Sequence, residues 1–319
     1  MHILFCNQGM PEARQMIAEM LHEHTCSTCA PEAILDHLEG VDIITPFMTK
    51  IDATVLRQGT FGLVQQIGVG LEGVDLATAT QLGVWVARVP SVESGNAQSV
   101  AEHALLLMLA LSRQLDAARH ALTQRQWFTP RGQALLGKTV CIVGLGGIGV
   151  ELAQRLRPFG VRLTAVRANP AQGAPPATGI TQVYSPAELH TALADADYVI
   201  LAARYDQTNH HMINAAALAA MPRGAYLINV ARGGLVDHTA LLAALQSGHI
   251  AGAGLDVFWE EPVDPTHPLF AQNVLATPHI AGVTDAFHAG VAQIYCENIR
   301  RYAAGADPLY AANAPTFRR

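Results

Sequence analysis

The chain has 319 residues, half of them hydrophobic and 14% charged, with a net charge of -6 at pH 7. That length suits two domains with large apolar cores, and the acidic balance excludes nucleic acid or an anionic membrane as the main partner. No apolar run reaches membrane-spanning length without a polar interruption, and five scattered cysteines form no disulfide framework, so a soluble, cytoplasmic protein is expected.

Met1-His2-Ile3-Leu4-Phe5-Cys6 lacks the basic segment and long apolar run of a secretory leader and reads as a first strand. A helix is predicted over Glu12–Glu23. Cys26 and Cys29 have metal or redox spacing, but no second pair completes four ligands, so they are expected to be structural thiols and no metal is expected. Val41–Thr45, Leu63–Gly68 and Val84–Ala87 are short apolar strand candidates. Ser99–Leu111 is a helix apolar nearly all round, which predicts burial or a subunit contact. The loop Trp127–Lys138, with Pro130, Gly132 and Gly137, introduces a second unit. There, Thr139–Val143 is a strand and Glu151–Arg157 continues a helix. Further strands are predicted at Val161–Val166, Tyr198–Ala202, Tyr226–Asn229, Gly252–Val257 and Val274–Ala276, with a surface loop at Ala171–Gly179. A last helix spans Asp285–Ala304. Strands alternating with helices throughout predict an α/β fold of two Rossmann-like, doubly wound parallel sheets.

Thr139–Val143 runs into Gly144-Leu145-Gly146-Gly147-Ile148-Gly149, a G-x-G-x-x-G turn between an apolar strand and a helix. In that setting the first glycine permits a tight turn, the second brings the backbone up to a pyrophosphate, and the third lets helix and strand pack closely. The phosphates would meet unpaired N–H groups and the positive end of the helix dipole. Binders of NAD usually place Asp or Glu at the end of the next strand, on the ribose hydroxyls. Here that strand ends Thr164-Ala165-Val166-Arg167-Ala168-Asn169-Pro170, with no carboxylate. A guanidinium attracts a 2′-phosphate and bonds it at two points. Arg167 therefore predicts NADP(H) as the preferred cofactor, with NAD(H) the alternative.

Further along lie Leu227-Ile-Asn-Val-Ala-Arg-Gly-Gly-Leu-Val-Asp237, Gly254-Leu-Asp-Val-Phe-Trp-Glu-Glu-Pro262 and Thr277-Pro-His-Ile-Ala-Gly282. Two earlier segments are Gly68-Val-Gly-Leu-Glu-Gly-Val-Asp75 and Asn96-Ala-Gln-Ser-Val-Ala-Glu102. With the glycine turn, this ordered set resembles the D-isomer-specific 2-hydroxyacid dehydrogenases over nearly the whole chain. The resemblance implies that Arg232 binds the substrate carboxylate and carbonyl, which suits a planar fork. It implies that His279 is the acid/base and that Glu261 hydrogen-bonds it, favouring the imidazolium. The adjacent Glu260 is the other carboxylate able to point inward. Backbone N–H groups at Val69 and Gly70 would hold the substrate carboxylate. Asn96 matches a substrate contact of the formate dehydrogenase branch. Asp256 would fix the nicotinamide carboxamide, and Val230 and Gly282 would line the cofactor. Residues 1–97 with 285–319 would form the substrate domain and 98–284 the dinucleotide domain. A homodimer through the cofactor domain is implied.

Departures narrow the substrate. The formate branch has glutamine where Glu261 stands. Phosphoglycerate-using relatives carry a basic residue where this chain reads Thr45-Pro46-Phe47-Met48-Thr49. No cation is left there for a second anionic group, and Phe47 and Met48 offer an apolar wall. Arg204, where relatives often have proline, is placed to join Arg167 on a 2′-phosphate. The expected activity is hydride transfer between NADP(H) and a small 2-oxo or 2-hydroxy acid, with glyoxylate, hydroxypyruvate or a modest apolar 2-oxo acid as candidates. The alternatives are a non-enzymatic dinucleotide sensor of corepressor type and a formate-type dehydrogenase.

Overall fold

The computed structural model describes residues 1–7 and 9–319. Its strands are β1 (His2–Phe5), β2 (Thr25–Thr28), β3 (Ile43–Thr45), β4 (Leu63–Gln65), β5 (Trp85–Ala87), β6 (Thr139–Val143), β7 (Arg162–Val166), β8 (Ile180–Tyr184), β9 (Tyr198–Leu201), β10 (Ala225–Asn229), β11 (Ile250–Leu255) and β12 (Val274–Ala276). Its α-helices are α1 (Pro11–Met20), α2 (Ala53–Gln58), α3 (Leu76–Gln81), α4 (Asn96–Ser112), α5 (Leu115–Thr123), α6 (Gly147–Leu156), α7 (Leu189–Leu193), α8 (Ala215–Ala220), α9 (His238–Gln246) and α10 (Asp285–Ala303). Two compact units result, Met1–Asn96 with Thr284–Arg319, and Ala97–Val283.

The first unit holds a five-stranded sheet in the order β2-β1-β3-β4-β5, and every pairing in it is parallel. Alternate residues feed opposite faces, as the two-residue period of a strand requires. Ile3, Phe5 and Ile43 pack with Ile17 of α1 and Val291, Tyr295 and Ile299 of α10. Leu4, Cys6 and Ile44 pack with Val55 and Leu56 of α2 and Ala79 of α3. Helix α10 thus closes one face of a sheet whose strands come from the start of the chain.

The second unit holds a seven-stranded sheet, β12-β11-β10-β9-β6-β7-β8, again parallel throughout. Cys141, Val143, Val199, Leu201 and Leu227 face α7, α8 and α9. Val140, Ile142, Tyr198, Ile200 and Ile228 face α4 and α6. Strands β6, β9 and β10 are buried along their whole length, which is why they appear in the sequence as unbroken apolar runs.

Two strands have no counterpart among the sequence expectations, β2 and β8. Both are edge strands with half-exposed patterns, so neither needs a continuous apolar run. Cys26 lies in β2 and packs on the α1–α10 face, whereas Cys29 packs on the opposite face with Cys6. Three residues apart on an extended chain, they point to opposite sides of the sheet. All five thiols are free, and no group of His, Cys, Asp and Glu able to hold a metal occurs among the described residues. The loop Ala171–Gly179 is bracketed by two short 3-10 turns, Pro170–Gln172 and Pro176–Thr178. No helix among the described residues is long and apolar enough to cross a membrane.

Candidate active site

The three spaced glycines of the turn after β6 meet three different surroundings. Gly144 has φ +105°, and a Cβ there would lie 2.5 Å from Ala203 Cα. A Cβ on Gly149 would overlap the Gly144 carbonyl oxygen, while one on Gly146 would meet nothing within 4 Å. The turn is therefore closed at Gly144 and Gly149 and open at Gly146, the N-cap of α6, which contributes no capping side chain. The N–H groups of Gly147, Ile148 and Gly149 have no intrahelical acceptor. An open backbone surface at a helix N-terminus is an anion site, and it fits the pyrophosphate of a dinucleotide.

Arg167 follows β7. Its guanidinium donates to the Gly173 carbonyl at 2.7 Å and to the Gln172 side chain, so it folds over the loop behind it. Arg204 follows β9 and is exposed, its carbonyl accepting from the Asn209 amide at 2.8 Å.

Arg232 sits at the end of β10 on a turn stitched by Asn229. The Asn229 Oδ1 accepts from Ala231 N at 3.0 Å, and its Nδ2 donates to the Arg232 carbonyl at 3.0 Å. Val230, between them, is buried. The half-buried Arg232 directs Nη1 to the Ala231 carbonyl at 2.8 Å. At Gly233 a Cβ would lie 2.5 Å from Trp259 N and overlap the Phe258 carbonyl. The Arg232 turn and the Glu261 loop thus touch main chain to main chain. Asp237 then caps α9, accepting from Thr239 N at 3.0 Å and Ala240 N at 3.1 Å.

The loop after β12 carries His279, which has φ +55°. Its left-handed backbone is pinned by His279 N–H bonds to the Asp256 carbonyl at 2.9 Å and the Thr277 carbonyl at 3.0 Å. Asp256, 1% exposed, secures the same loop with its carboxylate. It accepts from Thr277 Oγ1 at 2.6 Å, Ile280 N at 2.9 Å and Ala281 N at 2.9 Å. The residue expected to hold a carboxamide therefore also fastens the His279 loop. His103 of α4 lies 2.9 Å from Thr277 Oγ1. Since the one hydroxyl proton of Thr277 goes to the carboxylate, His103 donates through Nε2. Gly282 follows, half-buried.

Glu261, and not Glu260, meets His279: Nδ1 and Oε2 are 2.7 Å apart. The other carboxylate oxygen accepts from Phe258 N at 3.0 Å. Burial pushes the Glu261 pKa up. The hydrogen bonds from His279 and Phe258, with the charges of His279 and Arg232, outweigh burial and hold it below the ordinary carboxylate range. An ionised carboxylate only accepts, so Nδ1 of His279 carries a proton and Nε2 is the atom left for a reactant. The two side chains are 38% and 30% exposed, within reach of one.

The remaining expected residues belong to the first unit. Val69 and Gly70 lie in the loop after β4, and their N–H groups find no acceptor among the described residues. The buried Gln66, absent from the sequence reading, shapes that loop. Its Nε2 donates to the Phe47 carbonyl at 2.8 Å and the Gly70 carbonyl at 3.0 Å. Asn96 is the first residue of α4 and half-buried. Asn229, Thr277 and His103 were missed as well. Each acts through main chain or through another side chain, and only Asn229 and Thr277, inside the quoted motifs, carried any sequence signal.

Residues 105–281 match the family model of the D-isomer specific 2-hydroxyacid dehydrogenase NAD binding domain. A glyoxylate reductase of Thermofilum pendens is 33% identical over 303 residues, 91% of this chain and 87% of that protein. A D-3-phosphoglycerate dehydrogenase of Archaeoglobus fulgidus is 32% identical over 86% of this chain, which spans about half, 52%, of that longer protein. The solved NADPH-dependent glyoxylate/hydroxypyruvate reductase of Sinorhizobium meliloti, in complex with citrate, is similar with a TM-score of 0.84 and 29% identity, covering 100% of this chain and 99% of that one. The family match over more than half the chain, joined to the glyoxylate reductase that aligns along most of both lengths, shows that this chain belongs to the D-isomer specific 2-hydroxyacid dehydrogenases, NAD(P)-dependent oxidoreductases acting on CH–OH groups.

Proposed function

We propose that the protein reduces a small 2-oxo acid to the D-2-hydroxy acid with NADPH as its preferred hydride donor. The observation that carries this reading is the 2.7 Å bond between His279 Nδ1 and Glu261 Oε2, with the charge of Arg232 felt at the same carboxylate. The nicotinamide, when bound, supplies the hydride. The Gly144–Gly149 turn and the N-terminus of α6 would hold the pyrophosphate of the dinucleotide, Val230 and Gly282 would line the cofactor, and Asp256 fastens the His279 loop. Arg167 and Arg204 supply the cations for a 2′-phosphate, and no carboxylate follows β7 to repel one.

Arg232 pairs with the substrate carboxylate and polarises the carbonyl. His279 then gives its Nε2 proton to the oxygen as it becomes an alkoxide, while the Glu261 anion stabilises the imidazolium before transfer. Val69 and Gly70 supply unpaired N–H groups of the kind a carboxylate takes. Glyoxylate, hydroxypyruvate and small apolar 2-oxo acids are the favoured substrates. Support comes from the glyoxylate reductase relative and from the absence of a cation over Thr45–Thr49.

The working form is inferred to be a homodimer joined through the second unit. Trp127, Phe128 and Leu136 there are 75%, 105% and 76% exposed, and a second copy of this chain would cover them.

Two measurements test the reading. Fluorescence titration should give tighter binding of NADPH than NADH, reversed in Arg167→Asp. Steady-state assays should show turnover of glyoxylate or hydroxypyruvate well above that of 3-phosphoglycerate. Cofactor binding without turnover of any 2-oxo or 2-hydroxy acid would favour the dinucleotide-sensing alternative.

A further inference from the structure

The loop that presents Glu261 has little backbone support. Among the described residues, no N–H or carbonyl of residues 259–262 enters a main-chain hydrogen bond. The bond that closes the loop is the one from Phe258 N–H to Glu261 Oε1, at 3.0 Å. Side chains must hold it instead. Phe258 is buried in the core beside Leu235 and Leu255. Trp259 stacks on His238, with 4.2 Å between ring centroids and 16° between planes, and meets His267 at 4.7 Å and 57°.

Both imidazoles are anchored outside the loop. His238 is the first residue of α9. His267 caps the 3-10 turn Pro268–Ala271, its Nδ1 accepting from Leu269 N at 3.2 Å. Acceptance at Nδ1 makes His267 neutral, with its proton on Nε2. His238 Nδ1 is buried without a hydrogen-bond partner. A buried polar atom left unpaired is destabilising, so this imidazole is held by ring packing. The stacked His238 and the tilted His267 together grip the indole through buried area and dispersion.

We propose that Trp259, gripped by His238 and His267, is a positioning residue that sets Glu261 against His279. The proposal rests on the reading of Glu261 and His279 as the proton-handling pair. The strength of a hydrogen bond falls steeply with distance and angle. A loop closed by one main-chain donor therefore needs the aromatic clamp to keep the carboxylate on Nδ1. Gly233, packed on the Phe258–Trp259 peptide, carries any displacement of the loop to the turn that presents Arg232.

The test uses the full chain with His238→Ala, His238→Phe and Trp259→Ala, each checked for folding by circular dichroism. The readouts are kcat and KM for glyoxylate reduction, and the downfield proton NMR signal of His279 Nδ1–H in protein without cofactor. His238→Ala and Trp259→Ala should lower kcat about tenfold or more, leave the KM for NADPH within about twofold, and shift or broaden the signal. His238→Phe keeps a flat ring and should restore both. Equal losses in His238→Ala and His238→Phe would overturn the proposal, as would a lower Tm with kcat and the NMR signal unchanged. Glu261→Gln is the reference. If it keeps full kcat, the pair itself is misassigned and the clamp falls with it. If it loses kcat while His238→Ala does not, the pair stands and the clamp alone fails.

Discussion

A histidine with φ +55° costs backbone energy that only glycine avoids, and here it is held by two carbonyls and the Asp256 carboxylate network. Strain of this kind persists where the surroundings over-determine it. Two substitutions separate its chemistry from its backbone. His279→Ala should lower kcat by about 10²–10⁴-fold while NADPH still binds in a fluorescence titration; an unchanged kcat would remove His279 from the mechanism. His279→Gly should be as inactive, yet melt above His279→Ala, because glycine relieves about 1 kcal/mol of left-handed strain. Glu261 gives a pH prediction with a definite sign. Its folded pKa lies below the ordinary value of 4.5, so it contributes stability that is present above that value and lost as pH falls through the folded pKa. Wild type should lose Tm more steeply than Glu261→Gln on acidification below pH 4.5, as read by calorimetry. Parallel curves would mean that the carboxylate is not stabilised by His279 and Phe258.

At the scale of elements, the close approach of two loops at Gly233 leads to a further prediction. A Cβ there must displace the Phe258–Trp259 peptide, so Gly233→Ala should lower kcat and also lower Tm, the latter through a loss of roughly 1–3 kcal/mol of folding free energy for an overpacked site. A normal Tm and rate would show that the loops part freely. This contact also marks the limit of what could be read from the residues alone. Strands β6, β9 and β10 were legible because both faces are buried, and the glycine turn was legible because each glycine answers a local backbone need. Strands β2 and β8 were not, because an edge strand needs no apolar run. Arg232, Glu261 and His279 stood out through the motifs around them. His103 and the Trp259 clamp did not, since each acts on a side chain or ring brought close only by folding, on Thr277 and on His238 and His267. Spacing along the chain carries no trace of such partners.

At the scale of the whole molecule, both units bury α/β cores, yet the second leaves a run of large apolar side chains in water. Within the stretch from α5 to β6, Leu122 is 65% exposed, Trp127 75% and Phe128 105%. Large apolar surfaces of this kind on soluble proteins mark interaction sites. Each such side chain contributes about 1.5–3 kcal/mol when fully covered, enough in combination to offset the entropy of association. A closed symmetric dimer buries the same patch on both copies, so one set of substitutions disrupts it from both sides. Light scattering after gel filtration should return twice the 34.0 kDa chain mass for wild type. Trp127→Arg combined with Phe128→Ser should return the single-chain mass with its circular dichroism unchanged. A wild-type chain that is monomeric at micromolar concentration would leave the patch without a second copy to cover it and would end the dimer reading. A double variant that stays dimeric would move the interface elsewhere on the chain.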